Sequence, residues 1–219
     1  MVDIKKFLKE NSDLYYADFS KKTISTRYPL LGVRYPILKR LAKEIEPEHI
    51  ELDRDLTHEE ILLYAFSASR FKDEQLEYLQ NILPYIDNWA TCDCSIAALD
   101  RLKDQKAYDY FCNLLASSEP FYVRVGIVGL MRNFIKTEKV EEIVSKFQKI
   151  TNEHYYVKMA LAWFYAELCV TNFTLAKTTI EKQADKFIRN KAISKAKESF
   201  RVSKENKETL EKLRIKKHG

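Results

Sequence analysis

Four short stretches of this 219-residue chain share one pattern: a polar residue, any residue, a small residue, then an aliphatic one. They are Asp93-Cys94-Ser95-Ile96, Arg124-Val125-Gly126-Ile127, Lys158-Met159-Ala160-Leu161 and Asn190-Lys191-Ala192-Ile193. Their spacing of roughly 30 to 34 residues is that of a two-helix repeat. Equivalent positions of stacked repeats line up on one surface, so Asp93, Arg124 and Lys158 are expected along a shared groove. A carboxylate flanked by two cations there is a candidate site. The two tryptophans of the chain fall beside it in sequence. Trp89 lies one helical turn before Asp93, on the same helix face, and Trp163 lies five residues after Lys158.

Each residue also has a plainer reading. A tryptophan in a helical repeat is usually core, an aspartate near a helix start serves the dipole, and a lone helical arginine or lysine is usually solvated. The small residue of the pattern lets neighbouring helices approach, where a leucine would overpack. The polar position two residues earlier is left unexplained by that argument. The joint alignment on one register is what favours a site.

The elements that must position these residues are helical. Ile37, Leu38, Leu41, Ala42 and Ile45 mark an amphipathic face behind Pro36. Thr57 to Glu60 reads as a capping box before a helix Ile61 to Ser69. Asp73 is expected to cap the next helix, and Pro84 to perturb its end. Asp87 or Asn88 is the expected N-cap of a helix beginning at Trp89. Further helices are expected over Tyr108–Ala116, Phe121–Ile135 behind Pro120, Val140–Ile150, Tyr155–Cys169, Thr174–Phe187 and Arg189–Ser199, with a last one from Ser203. Two of these windows, Phe121–Phe134 and Tyr155–Leu168, are visibly related. Residues 12–36 show no clean period, and no strand or hairpin signal stands out.

Composition narrows the class. Only 4 Gly and 5 Pro in the whole chain argue against sandwiches and parallel α/β folds, which spend both on turns, and a glycine-rich phosphate loop is excluded. With 13 Tyr and 12 Phe the chain is too hydrophobic for disorder. No Gly, Ser or Pro linker divides it, so a single domain over 1–219 is expected. The absence of an apolar span or a signal-peptide pattern points to a cytoplasmic protein with no membrane partner. Cys92, Cys94, Cys112 and Cys169 fit no zinc template; no metal or cofactor is expected. Residues 182–219 hold 13 Lys and Arg against 5 Asp and Glu, in a chain of net charge +5. That bias suits a polyanion such as DNA, and equally a solvated terminal helix.

The stretches PLLGVRYPILKRLAKEI (29–45), DNWATCD (87–93), FYVRVGIVGL (121–130) and YYVKMALAW (155–163) together resemble the bacterial DNA alkylation repair family of the AlkD type. The resemblance runs over about residues 28 to 200. It implies an all-α fold, a right-handed superhelical solenoid of HEAT-like repeats with a concave DNA-binding groove. It also implies a glycosylase that hydrolyses the N-glycosidic bond of N3- and N7-alkylated purines in duplex DNA; a basic groove binding one duplex needs no partner subunit, so a monomer is expected. The family's catalytic aspartate falls on Asp93, its paired tryptophan on Trp89, its second cleft tryptophan on Trp163 and its phosphate-contacting arginine on Arg124. Lys158, Arg189 and Lys191 are added here as candidate DNA contacts. The chain departs from the best-known members in having Asn88 beside Trp89, where they have two tryptophans, and Ala90 where they have an acidic residue. Two alternatives stay open: a relative that binds distorted or branched DNA without excising bases, and a helical-repeat scaffold for acidic peptides.

Overall fold

The structure, a computed structural model, describes residues 2–52 and 55–216. Among the described residues all regular structure is helical, as the scarcity of glycine and proline predicts. The chain gathers into two compact units, Met1–Ala107 and Tyr108–Gly219.

The first unit opens with α1 (Ile4–Glu10) and α2 (Leu14–Lys21), capped by the carboxylates of Asp3 and Asp13. The second of these helices lies within residues 12–36, where no clean period is legible. An extended stretch follows to α3 (Tyr35–Leu41), which has Pro36 in its first turn. Gly32 is the turn point of that stretch. Its φ is +79°, and a Cβ there would lie 2.1 Å from the Asp13 carbonyl oxygen. The stretch is held from below by Glu59, whose Oε1 accepts from the Gly32 amide at 2.7 Å. Glu59 begins α4 (His58–Ala68), a helix buried along its whole length and opened by the Thr57–Glu60 capping box. The box starts the helix three residues earlier than the apolar run alone indicated. Next come α5 (Gln75–Ile82), a 3-10 turn at Leu83–Tyr85 carrying Pro84, and α6 (Trp89–Ala98). The N-cap of α5 is Glu74 and makes no side-chain bond, so the cap expected of Asp73 is not formed. Within this unit α4 packs against α3, α5 and α6.

The second unit takes most of α7 (Gln105–Leu114), then α8 (Pro120–Phe134), α9 (Val140–Phe147), α10 (Tyr155–Thr171), α11 (Phe173–Lys182), α12 (Lys186–Glu198) and α13 (Lys204–Lys212). Pro120 occupies the first position of α8, where its missing N–H costs nothing. The break between α11 and α12 falls earlier than the apolar pattern suggested. Gln183, in extended conformation, ends the first helix, and Asp185 caps the second, accepting from the Ile188 amide at 3.0 Å. The long helices α8, α10 and α12 pack in series, α10 touching both of the others. The small register residue of α8 lets α7 lie close against it: a Cβ on Gly126 would sit 2.8 Å from the Phe111 carbonyl oxygen. Ser95, Ala160 and Ala192 are likewise fully buried.

Candidate functional site

The polar member of the register occupies nearly the same place in each helix: fifth in α6, α8 and α12 and fourth in α10. In the first unit Asn88 fixes the start of α6. It is fully buried, and its Oδ1 accepts from the Ala90 and Thr91 amides, both at 3.0 Å. Its amide group donates to Asp87 at 2.9 Å. Asp87 in turn accepts from the Thr26 hydroxyl at 2.8 Å and the Arg27 amide at 2.7 Å. This network ties the extended stretch to the helix that carries the candidate residues.

Trp89 is the first residue of α6, and its indole N–H donates to the Thr23 carbonyl at 2.9 Å. With its one donor engaged, the ring keeps a fixed edge and a half-exposed body. Ala90, Thr91, Cys92, Ser95 and Ile96 point into the core, while Trp89, Asp93, Cys94, Ala97 and Ala98 form the accessible face. The structure therefore places Trp89 and Asp93 one turn apart on the same outward side of one helix. An indole and a carboxylate so placed can flank a cation, the ring by its quadrupole and the carboxylate by its charge.

In the second unit the register residues bind forward along the chain. Arg124 of α8 is only 5 % exposed and donates to the Tyr156 carbonyl in the first turn of α10 at 2.7 Å. Lys158 of α10 pairs with Asp185, the cap of α12, at 2.8 Å, and also with Glu153. The Asp185 carboxylate first, then Glu153, holds the ammonium above the ordinary lysine range. Burial by itself would raise Asp185, but the Lys158 ammonium and the Ile188 amide hold it below the usual carboxylate range. Asn190 of α12 brackets Ile215, donating to its carbonyl at 2.8 Å and accepting from its amide at 2.9 Å. The polar position of the pattern thus clasps the start of the next long helix in α8 and α10, and the segment after α13 in α12.

Trp163 is half-buried in α10 and lines an open depression of about 610 Å³ whose charged walls are Arg132, Lys136, Glu167 and Arg201. Arg201 pairs with Glu167 at 2.7 Å. Arg189 donates to the Leu213 carbonyl at 2.6 Å and the Glu181 carbonyl at 2.8 Å, whereas the half-exposed Lys191 has no such partner among the described residues.

The sequence model of the DNA alkylation repair enzymes matches residues 4–200. The chain belongs to the DNA alkylation repair enzyme family. No curated protein matches the chain. The family match takes in Trp89, Asp93, Arg124, Lys158 and Trp163 together and stops before α13. Among the described residues no group of His, Cys, Asp and Glu is arranged to hold a metal ion, and no helix is long and apolar enough to cross a membrane.

Sequence reasoning did not find Thr23, Arg132, Lys136 or Arg201. Thr23 acts through its backbone carbonyl, which leaves no residue-type signal. The cations round Trp163 come from α8, from the turn just after it and from the loop after α12, so their grouping is a product of packing and not of spacing.

Proposed function

We propose that this family member is a DNA glycosylase that releases N3- and N7-alkylated purines from duplex DNA by hydrolysis of the N-glycosidic bond. The observation that carries the reading is the outward pairing of Trp89 and Asp93 on α6, with the indole fixed by Thr23. Alkylation at N3 or N7 gives the purine a positive charge, so it departs readily and needs little help from a general acid. Breaking the bond leaves oxocarbenium character on the sugar, as in glycoside hydrolysis. The Asp93 carboxylate stabilises that cation and orients the attacking water; the water adds to the sugar carbon, the base leaves with the bonding electron pair, and a proton is released. The Trp89 face stabilises both the cationic base and the sugar cation. A carboxylate on a DNA-binding face repels phosphate, so its presence there is itself an argument for catalysis.

The finer architecture belongs to the same proposal: HEAT-like repeats wound as a right-handed superhelix with a concave face for DNA, acting as a monomer. Trp163 is proposed to meet the duplex with the cations of its own depression. Arg124, Lys158, Arg189 and Lys191 are proposed as phosphate contacts. For the first three, the intramolecular partners described above are the groups a phosphate must compete with. Lys191 faces no such competition.

The test is release of methylated purine from duplex DNA treated with a methylating agent, comparing the wild type with Asp93→Asn. Release by the wild type that the variant loses, with DNA binding retained, supports the glycosylase. Normal release by a folded Asp93→Asn protein removes the aspartate from the mechanism. Binding with no release above the spontaneous background leaves a non-catalytic DNA-binding relative.

A further inference from the structure

The accessible face of α6 continues past Asp93 into a second feature. Cys94, Ala97 and Ala98 form one wall of a cavity of about 340 Å³ that lies wholly within the first unit, closed on its other sides by α3 and the end of α4. Its apolar lining includes the Tyr35 and Phe66 rings and the alanines of α6, and its charged groups are Lys39, Lys43 and Arg70. Tyr35 and Phe66 meet edge to face with centroids 6.3 Å apart, and the Lys39 ammonium lies 5.4 Å from the Phe66 ring centre.

The charge of this cavity is one-sided. No carboxylate lines it among the described residues. Arg70 is partly neutralised by Glu46 at 3.4 Å and donates to the Lys43 and Ile45 carbonyls. Lys39 and Lys43 have no acidic partner among the described residues. Lys39 lies in the last turn of α3 and Lys43 in the turn that follows it, and both line the same cavity. Two unneutralised ammonium groups at the rim of an aromatic-walled depression match one ligand chemistry: an anionic ester with a carbon body, the ammoniums taking the oxygens and the rings taking the body. From Asp93 to Ala97 the α6 axis rises about 6 Å, the length of one or two base steps of a duplex strand.

We infer that this cavity is a phosphodiester site of the first unit, with Lys39 and Lys43 gripping the DNA backbone one or two nucleotides from the one facing Asp93. The inference rests on the reading of the protein as one that acts on duplex DNA. Its function is register: a phosphate held one turn along α6 fixes which nucleotide meets the Trp89–Asp93 pair.

Both lysines are exposed, so Lys39→Gln, Lys43→Gln and the double variant should keep the wild-type fold and melting temperature. Binding of each to an undamaged duplex is measured by fluorescence anisotropy across a salt series. Each phosphate contact contributes about 0.9 to the slope of log affinity against log salt. The double variant is therefore expected to bind more weakly at low salt, with a slope shallower by about 2. Cys94 supplies a second readout. Saturating duplex is expected to slow its alkylation by a maleimide and to leave Cys112, half-exposed in the second unit, reacting at its free rate. A double variant with the wild-type salt slope overturns the site, whatever the labelling shows. A wild type that binds duplex but releases no base leaves the phosphate site standing and removes the glycosylase. A wild type that does not bind duplex removes both.

Discussion

Asn88 is the residue on which the geometry of α6 rests, and replacing it by alanine deletes a countable set of bonds. Its Oδ1 satisfies two amides of the first turn at 3.0 Å each, in a site with no solvent exposure, and its amide donates to the half-buried Asp87 at 2.9 Å. An ordinary N-cap loss costs about 1 kcal/mol because water takes over. Here the Ala90 and Thr91 amides are left unpaired in the interior, at about 1–3 kcal/mol apiece. Asp87 keeps Thr26 and Arg27 as donors, which softens the loss on that side. The expected destabilisation of Asn88→Ala is about 3 kcal/mol. For a chain of this length that is a fall in melting temperature of about 6–12 °C. Asn88→Ser, which restores an acceptor of the right reach, is expected to recover about half of it. The assay is urea unfolding followed by the fluorescence of Trp89 in a Trp163→Phe background, with circular dichroism alongside. A loss below about 1 kcal/mol, or a serine no better than alanine, would refute the claim that this cap holds the helix. Because Trp89 is the first residue of that helix, the proposed glycosylase activity should fall in the folded alanine variant along with stability.

Three further outcomes follow from individual side chains. Ser95 Oγ is buried with no hydrogen-bond partner among the described residues, so Ser95→Ala should leave stability unchanged or raise it by about 1 kcal/mol; a clear loss in chemical denaturation would show a partner that the structure lacks. Gly32→Ala combines a positive φ with a Cβ placed on the Asp13 carbonyl; it should cost about 3 kcal/mol or more, and a melting temperature within a degree or two of wild type would disprove the clash. Burial, partly offset by the Asp87 charge, pushes the His58 imidazolium down to about 4 from its usual 6.5. Above pH 6.5 the ring is neutral folded and unfolded alike, so it adds no pH dependence. As pH falls from 6.5 to 4 the unfolded chain alone takes up the proton, and stability should drop by about 3 kcal/mol in total. Glu59, raised by its own burial, acts with the opposite sign in the carboxylate range. The diagnostic is therefore the flattening of the stability profile between pH 5 and 6.5 in His58→Gln.

The helical class, the Thr57 box, the Asn88 cap and the position of Pro120 were all legible, because each depends on residues a few places apart. The same holds for the shared face of Trp89 and Asp93, which needs only a helical turn. Legibility failed where distant backbone decides. The stretch after α2 takes its shape from Gly32 and from a glutamate 27 residues later, and no local period encodes that. The register predicts a row of polar groups along one surface. In the second unit Arg124, Lys158 and Asn190 also reach a carbonyl, a capping carboxylate and the segment after α13, contacts that no spacing encodes. A repeat pattern reports that a position is used in the same way each time; whether the partner is the next helix or a phosphate is a matter of packing.

The clasp at Asn190 changes what the basic C-terminal segment is able to be. Arg189 and Asn190 grip the chain at Leu213 and Ile215, and Lys197 and Arg214 both meet Glu211. Much of the positive charge of the C-terminal segment is therefore mounted as a plate and not as a loose arm. A loose arm sweeps a large volume and captures a distant polyanion before the body arrives, whereas a plate acts only within a Debye length, about 8 Å in physiological salt. Capture by this protein should then depend on collision of the whole body in the right orientation, and cutting the chain after Val202 would take away a piece of folded surface, Leu210 with it, where trimming an arm would have taken only reach.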